Sequence, residues 1–64
     1  MNYIGARLAI ARRKLNLTQQ DVAERSGIKQ TTISNYETGA RQASVRNLRI
    51  LCKTLKVTIE WVMK

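Results

Sequence analysis

Two short runs with helical patterning, about Gln19–Ser26 and about Gln30–Thr38, meet at Gly27, and this pairing limits the fold more than any other feature of the chain. Glycine makes a sharp turn without the steric cost of a Cβ. Ala23 is small where the first of these helices must approach the second, and Val22, Ile28 and Ile33 are apolar where the pair needs a core. Gln30, Thr31, Ser34, Asn35 and Thr38 fall on one side of the second helix, and Ile33 on the opposite side. That outer face is polar but uncharged, which is unusual in a chain of formal charge +8.

The rest of the sequence supplies helices to pack around this pair. Ile4, Leu8, Ala11 and Leu15 recur at helical spacing and predict a first helix over about Tyr3–Leu15. Asn16 tolerates the left-handed conformation that ends a helix. Thr18 is placed to cap the second helix, with Asp21 three residues later as the acidic partner of a capping box. Lys29 precedes the third helix, and Gly39 follows it as a C-terminal cap. Ala40–Ala43 reads as a basic, polar loop. Ser44 caps a fourth helix whose apolar positions are Val45, Leu48, Leu51, Cys52 and Leu55, and Thr58 caps a short fifth, Ile59–Lys64.

No run alternates as a strand would. The expected fold is all-α: one domain over residues 1–64, a compact bundle of five helices. Its expected core is Ile4, Leu8, Leu15, Leu17, Val22, Ala23, Ile28, Ile33, Leu48, Leu51, Leu55, Val57 and Trp61. Ile10 and Ile50 lie off these stripes, either as lone exposed aliphatics or as part of a partner contact.

Size and composition narrow the function classes. A domain of 64 residues buries only ~60% of the surface its unfolded chain exposes, so a large catalytic cavity is not expected. The chain has no histidine, no phosphate-cradling glycine loop and no Cys–His pair, and its acids are scattered at Asp21, Glu24, Glu37 and Glu60. Neither catalysis nor a metal or other cofactor is expected from such a set. Cys52 has no partner for an internal disulfide. It reads as a small buried hydrophobe; a reactive thiol would have no histidine to activate it. The longest apolar run, Leu8–Ala11, is far short of the ~18 residues of a membrane span. With no apolar signal segment at the N-terminus, the expected compartment is the cytoplasm.

Twelve Lys and Arg against four Asp and Glu favour a polyanion, either nucleic acid or an anionic membrane, with solubility alone as the plain alternative. The fourth helix is amphipathic and basic through Arg46, Arg49, Lys53 and Lys56, but the core needs its apolar side, which argues against a membrane. A helix fits the major groove of duplex DNA, where each base pair shows its own donor and acceptor pattern. Gln and Asn pair twice with adenine, and the Thr methyl touches that of thymine. The outer face of the third helix is thus either a reader of base edges or an ordinary exposed polar face. Lys29 and Arg41 bracket that helix and are candidates for phosphate contact. Arg7, Arg46, Arg49, Lys53 and Lys56 read as general surface charge.

Over nearly its whole length the chain resembles the phage repressor and Cro-type helix-turn-helix proteins, which share a lambda-repressor-like DNA-binding domain. The resemblance runs through Ala11-Arg12-Arg13-Lys14, Leu17-Thr18-Gln19-Gln20-Asp21-Val22-Ala23, Ser26-Gly27-Ile28 and Ile33-Ser34-Asn35-Tyr36-Glu37-Thr38-Gly39. It continues through Leu48–Val57 and Glu60-Trp61. It implies a transcription regulator, a repressor of phage or prophage type, that reads duplex DNA with Gln30, Thr31 and Asn35, joined by Ser34. It also implies that Gln19 bonds a phosphate and that Arg12 pairs with Glu37, tying the first helix to the third; Arg12 is a further phosphate candidate.

Relatives bind palindromic operators as dimers, with half-sites roughly 34 Å apart. The dimer contacts implied here are Ser44, Ile59 and Trp61, with Trp61 equally readable as a core residue. A weak homodimer tightened on DNA is expected, in the bacterial cytoplasm at the nucleoid, with no small-molecule ligand evident. The alternative is an antitoxin, or the DNA-binding domain of a larger regulator, that also holds a protein partner through Ile10, Ile50 and Trp61.

Overall fold

Local capping chemistry sets most of the helix ends. The computed structural model describes residues 3–64, and its helices are α1 (Tyr3–Lys14), α2 (Gln19–Ser26), α3 (Gln30–Thr38), α4 (Val45–Leu55) and α5 (Ile59–Met63). Among the described residues there is no strand, so the fold is the all-helical bundle expected. The Thr18 hydroxyl accepts from the Asp21 N–H at 3.0 Å, and the Asp21 carboxylate accepts from the Thr18 N–H at 2.9 Å. This reciprocal box satisfies two of the orphan donors that open α2. Ser44 and Thr58 cap α4 and α5, accepting from Asn47 N–H and Trp61 N–H at 3.1 Å each. Gly27, at φ 78°, ends α2 in the left-handed region. Asn16 takes the same region at φ 57°, as its place after α1 suggests, and Lys56 joins it at φ 61°.

The core gathers Leu8 and Ala11 from α1, Leu17, Val22 from α2, Ile28, Ile33 and Tyr36 from α3, Leu48, Leu51, Cys52 and Leu55 from α4, and Val62 from α5. α1 is the central element and packs on α3, α4 and α5; α2 packs on α3 and α4.

One expected core residue is outside it. Leu15 is 37% exposed. α1 stops at Lys14, and the chain closes through Leu15 N–H and Leu17 N–H, both bonded to the Arg12 carbonyl. Leu15 therefore leaves the helical stripe and Leu17 enters the core. Val45, read as an apolar position of the fourth helix but not as part of that core, is 68% exposed at the first residue of α4. Ile4, Ala23, Val57 and Trp61 only edge the core, whereas Tyr36 and Val62, not expected there, are buried in it. Ile10 is exposed, as its position off the stripe implies, and Ile50 packs against the margin of the core. Cys52 is buried, and burial pushes its thiol pKa up, which keeps it neutral.

Candidate nucleic-acid interface

The turn between α2 and α3 is held at two of its three residues. Gly27 N–H bonds to the Ala23 carbonyl at 2.9 Å, and the Ser26 hydroxyl accepts from Ile28 N–H at 3.1 Å. Ala23 is half-buried, packed against the core, where α2 must clear the start of α3. The inner side of α3 is anchored by Ile33 and Tyr36, which are 3% and 6% exposed. Asn47 of α4 donates to the Tyr36 hydroxyl at 2.9 Å, which fixes the far end of α3.

The outer side of α3 is the opposite case. Gln30 and Thr31 are exposed, and Ser34 and Asn35 are half-exposed. None of these four side chains makes a hydrogen bond to another described residue. Thr38 differs: its hydroxyl donates to the Asn35 carbonyl at 3.3 Å and accepts from Ala40 N–H at 3.4 Å, helping to close the helix. Four adjacent polar groups with open hydrogen-bonding capacity thus stand on a helix locked from behind. Lys29 precedes this face and Arg41 follows it, both exposed. Arg41 N–H bonds back to the Asn35 carbonyl at 3.1 Å, which draws the loop against the end of α3.

Arg12, Gln19 and Glu37 meet beside α3, each from a different helix. The Arg12 guanidinium donates from Nε to Glu37 Oε2 at 2.8 Å and from Nη2 to Oε1 at 3.0 Å, a bidentate pair. Its Nη1 donates to the Leu17 carbonyl at 2.9 Å. Gln19 Nε2 donates to Glu37 Oε1 at 3.0 Å. The Arg12 and Glu37 side chains are 12% and 7% exposed. The hydrogen bond to Glu37 raises the pKa of Arg12 further above its ordinary high value. The ion pair that the resemblance implies is therefore present, and Gln19 extends it to α2. Of the four phosphate candidates, Lys29 and Arg41 point no charge at an acid, whereas Arg12 is neutralised by Glu37 and Gln19 keeps one N–H and its carbonyl oxygen open.

The three dimer candidates are not brought together. Ser44 caps the start of α4, while Ile59 and Trp61 lie beyond its other end, after eleven residues or roughly 16 Å of helix. Ile59 and Trp61 pack on the margin of the core. Arg7, read from sequence as general surface charge, is a structural residue: its guanidinium lies 4.9 Å from the centre of the Trp61 ring, and Nη1 donates to the Trp61 carbonyl at 3.0 Å. It ties α1 to α5 across 54 positions, for which no local pattern gives a signal.

A family model described as helix-turn-helix matches residues 8–62, from within α1 to within α5. No curated protein and no solved structure gives a significant match. Among the described residues, no helix is long and apolar enough to cross a membrane.

Proposed function

The chain belongs to the Cro/C1-type helix-turn-helix family of DNA-binding transcription regulators, and from that premise we propose that it is a repressor of phage type that binds a palindromic operator as a dimer. α3 enters the major groove, which is about 12 Å wide and admits a helix. Gln30 and Asn35 pair with adenine edges, the Thr31 methyl meets the methyl of thymine, and the Ser34 hydroxyl donates or accepts as the base requires. Lys29 and Arg41 contact phosphates at either end of the reading helix. Gln19 adds the open N–H of its carboxamide, at the α2 N-terminus where the helix dipole also favours an anion. Arg12 acts from behind by fixing Glu37 and so the set of α3. The dimer contact lies on α5 at Ile59 and Trp61, with Ser44 a separate contact at the far end of α4. Occupying the operator blocks polymerase at an overlapping promoter.

The observation that carries this reading is the set of four uncharged side chains on α3 with no hydrogen-bond partner among the described residues. Open donors and acceptors this close together on a helix locked from behind suit the edges of base pairs. Selection of bound sites from random duplexes tests it. The expected result is an enriched, two-fold symmetric site with half-sites about one helical turn apart. Recovery of unenriched sequences near physiological salt overturns it.

A further inference from the structure

The positive charge of this chain is not concentrated where α3 meets DNA. Lys29 and Arg41 flank the reading face, Arg12 is paired with Glu37, and Arg7 is stacked on Trp61. A second group of cations lies elsewhere. Arg46, Arg49 and Lys53 are exposed and, at spacings of three and four residues, form one stripe along α4. A groove of about 560 Å³ separates this stripe from α2, lined by Arg25, Ser26, Ile50, Lys53 and Thr54. Arg25 is exposed on the α2 side of it. None of these four cations makes an ion pair among the described residues. The acid one turn before Arg25, Asp21, is held by Thr18 in the capping box and feels Arg25 only as a smaller through-space attraction, without an ion pair.

This flank faces away from the reading helix. α4 packs on α1, α2 and α5, whereas α3 packs on α1 and α2. On α2, Gln20, Ala23, Glu24 and Gly27 border the notch beside the start of α3, while Arg25 and Ser26 border the groove beside α4. By helical periodicity these two sets fall on different sides of α2. Arg46 stands next to Asn47, which reaches α3 through Tyr36, but Arg49 and Lys53 run away from that end. The body measures 25 × 22 × 20 Å, more than two screening lengths of ~8 Å at physiological salt. Charge on this flank therefore adds little to the attraction of a duplex seated on α3.

We propose that the cationic flank formed by Arg25, Arg49 and Lys53, extended by Arg46, binds a second DNA duplex, so that the protein bridges two segments. The inference rests on the reading of α3 as the first duplex-binding face. A phosphate backbone suits the flank because it asks for exposed, evenly placed cations and no apolar contact. A membrane surface fits less well. Of the apolar residues of α4, Leu48, Leu51, Cys52 and Leu55 are buried in the core, and the exposed Val45 and half-buried Ile50 alone are too little apolar surface to insert.

The test loads the protein onto bead-bound duplex carrying its selected site, then offers a labelled, unrelated duplex at about 0.1 M salt. Wild type is expected to retain the label. The triple variant Arg25→Gln, Arg49→Gln, Lys53→Gln is expected to melt and load the beads as wild type does, yet retain roughly tenfold less label or lower still, from the lost phosphate contacts. A dimer also offers its partner's α3 to a second duplex, and the triple variant keeps that route, so only the label lost with the three arginine and lysine charges counts. Equal retention by the triple variant overturns the proposal. So does a triple variant that loads the beads poorly with a shallower salt dependence, because the flank then touches the first duplex. Capture of phosphatidylserine vesicles in place of the labelled duplex overturns it as well. Wild type loading scrambled beads as well as selected ones refutes base reading by α3 alone, and the retention measurement still decides the flank.

Discussion

Removing the Glu37 carboxylate is the sharpest perturbation available, because one group accepts three hydrogen bonds from two other helices. Arg12 supplies two of them, at 2.8 and 3.0 Å, and Gln19 the third, at 3.0 Å. The Glu37 side chain is 7% exposed and that of Arg12 12%, so solvent does little to replace what is lost. Glu37→Ala leaves a guanidinium held only by the Leu17 carbonyl. Breaking a fully buried pair from one side costs ~3–5 kcal/mol, mostly the penalty of the stranded charge; this pair is part-buried, which sets the expected loss at about 2–3 kcal/mol. A 64-residue domain has roughly 3–10 kcal/mol in total, at ~0.05–0.15 kcal/mol per residue. The variant should therefore sit near its folding threshold.

Urea unfolding followed by helical circular dichroism at low temperature reads this directly. With a slope of roughly 1 kcal/mol per molar urea for so small a domain, the midpoint should fall by about 2–3 M. Arg12→Met should cost a similar amount by stranding the carboxylate. Arg12→Met combined with Glu37→Met removes both charges and keeps apolar bulk, and should recover most of the loss. Two outcomes would refute the reasoning. One is a Glu37→Ala midpoint within error of wild type. The other is a double variant that loses the sum of the single losses, which would mean that the two residues act independently.

The remaining predictions concern the turn, the cap and the DNA face. Gly27→Ala should cost ~1–2 kcal/mol by thermal melting, because φ is 78° while a Cβ there would meet nothing within 4 Å; the cost is backbone conformation alone. Gly27→Asn should cost less, and equal losses for the two would count against that cause. The Asp21 carboxylate is held below its ordinary pKa first by the Thr18 backbone N–H and then by the Thr18 hydroxyl. Its folded pKa is depressed, so its contribution is present above the unfolded value of ~3.9 and is lost as pH falls below that. Asp21→Asn should accordingly flatten the acid limb of a plot of melting temperature against pH, and an unchanged limb would refute it. Gln30→Ala should cost ~1–3 kcal/mol on the selected site and relax preference at one base position in repeated site selection. Lys29→Ala or Arg41→Ala should weaken binding to all duplexes alike and lower the salt slope by ~0.9; a constant slope would show that the residue touches no phosphate.

The elements of this fold were legible where the governing physics is local. The Thr18–Asp21 box, the caps at Ser44 and Thr58, and the left-handed Asn16 and Gly27 all depend on residues within four positions of one another, and the helix limits followed from them. Leu15 shows the limit of that logic. Its stripe position was correct for a longer helix, but α1 stops one residue earlier and the chain rotates Leu17 inward instead. Lys56 gave no signal because a lysine at φ 61° goes against its own preference. The long-range contacts were harder still. Arg7 on Trp61 and Asn47 on Tyr36 join residues 54 and 11 positions apart, and nothing in the local pattern of either partner marks it. At the candidate site, the residue types on α3 were readable, but whether their hydrogen bonds were already used inside the protein was not. Structure separated Gln19, which is partly committed to Glu37, from Gln30, which is not.

That separation explains how a chain of charge +8 can hold a neutral reading face. A cation near the groove attracts every sequence alike, so it raises affinity without raising discrimination. Base edges decide only if the groups pointing at them are neutral, directional and immobile. Here Arg12, the cation closest to the inner network, is neutralised by Glu37, and its donors are turned to holding α1, α2 and α3 in register. The charges left open at α3 stand at its two ends, Lys29 and Arg41, where they fix the helix against the backbone without reaching across its outer side. The bulk of the remaining charge is carried by other flanks of the body. Rigidity from a part-buried, bidentate pair, neutrality on the face and charge at the margins are thus one arrangement: each would lose its value for sequence recognition if either of the others were absent.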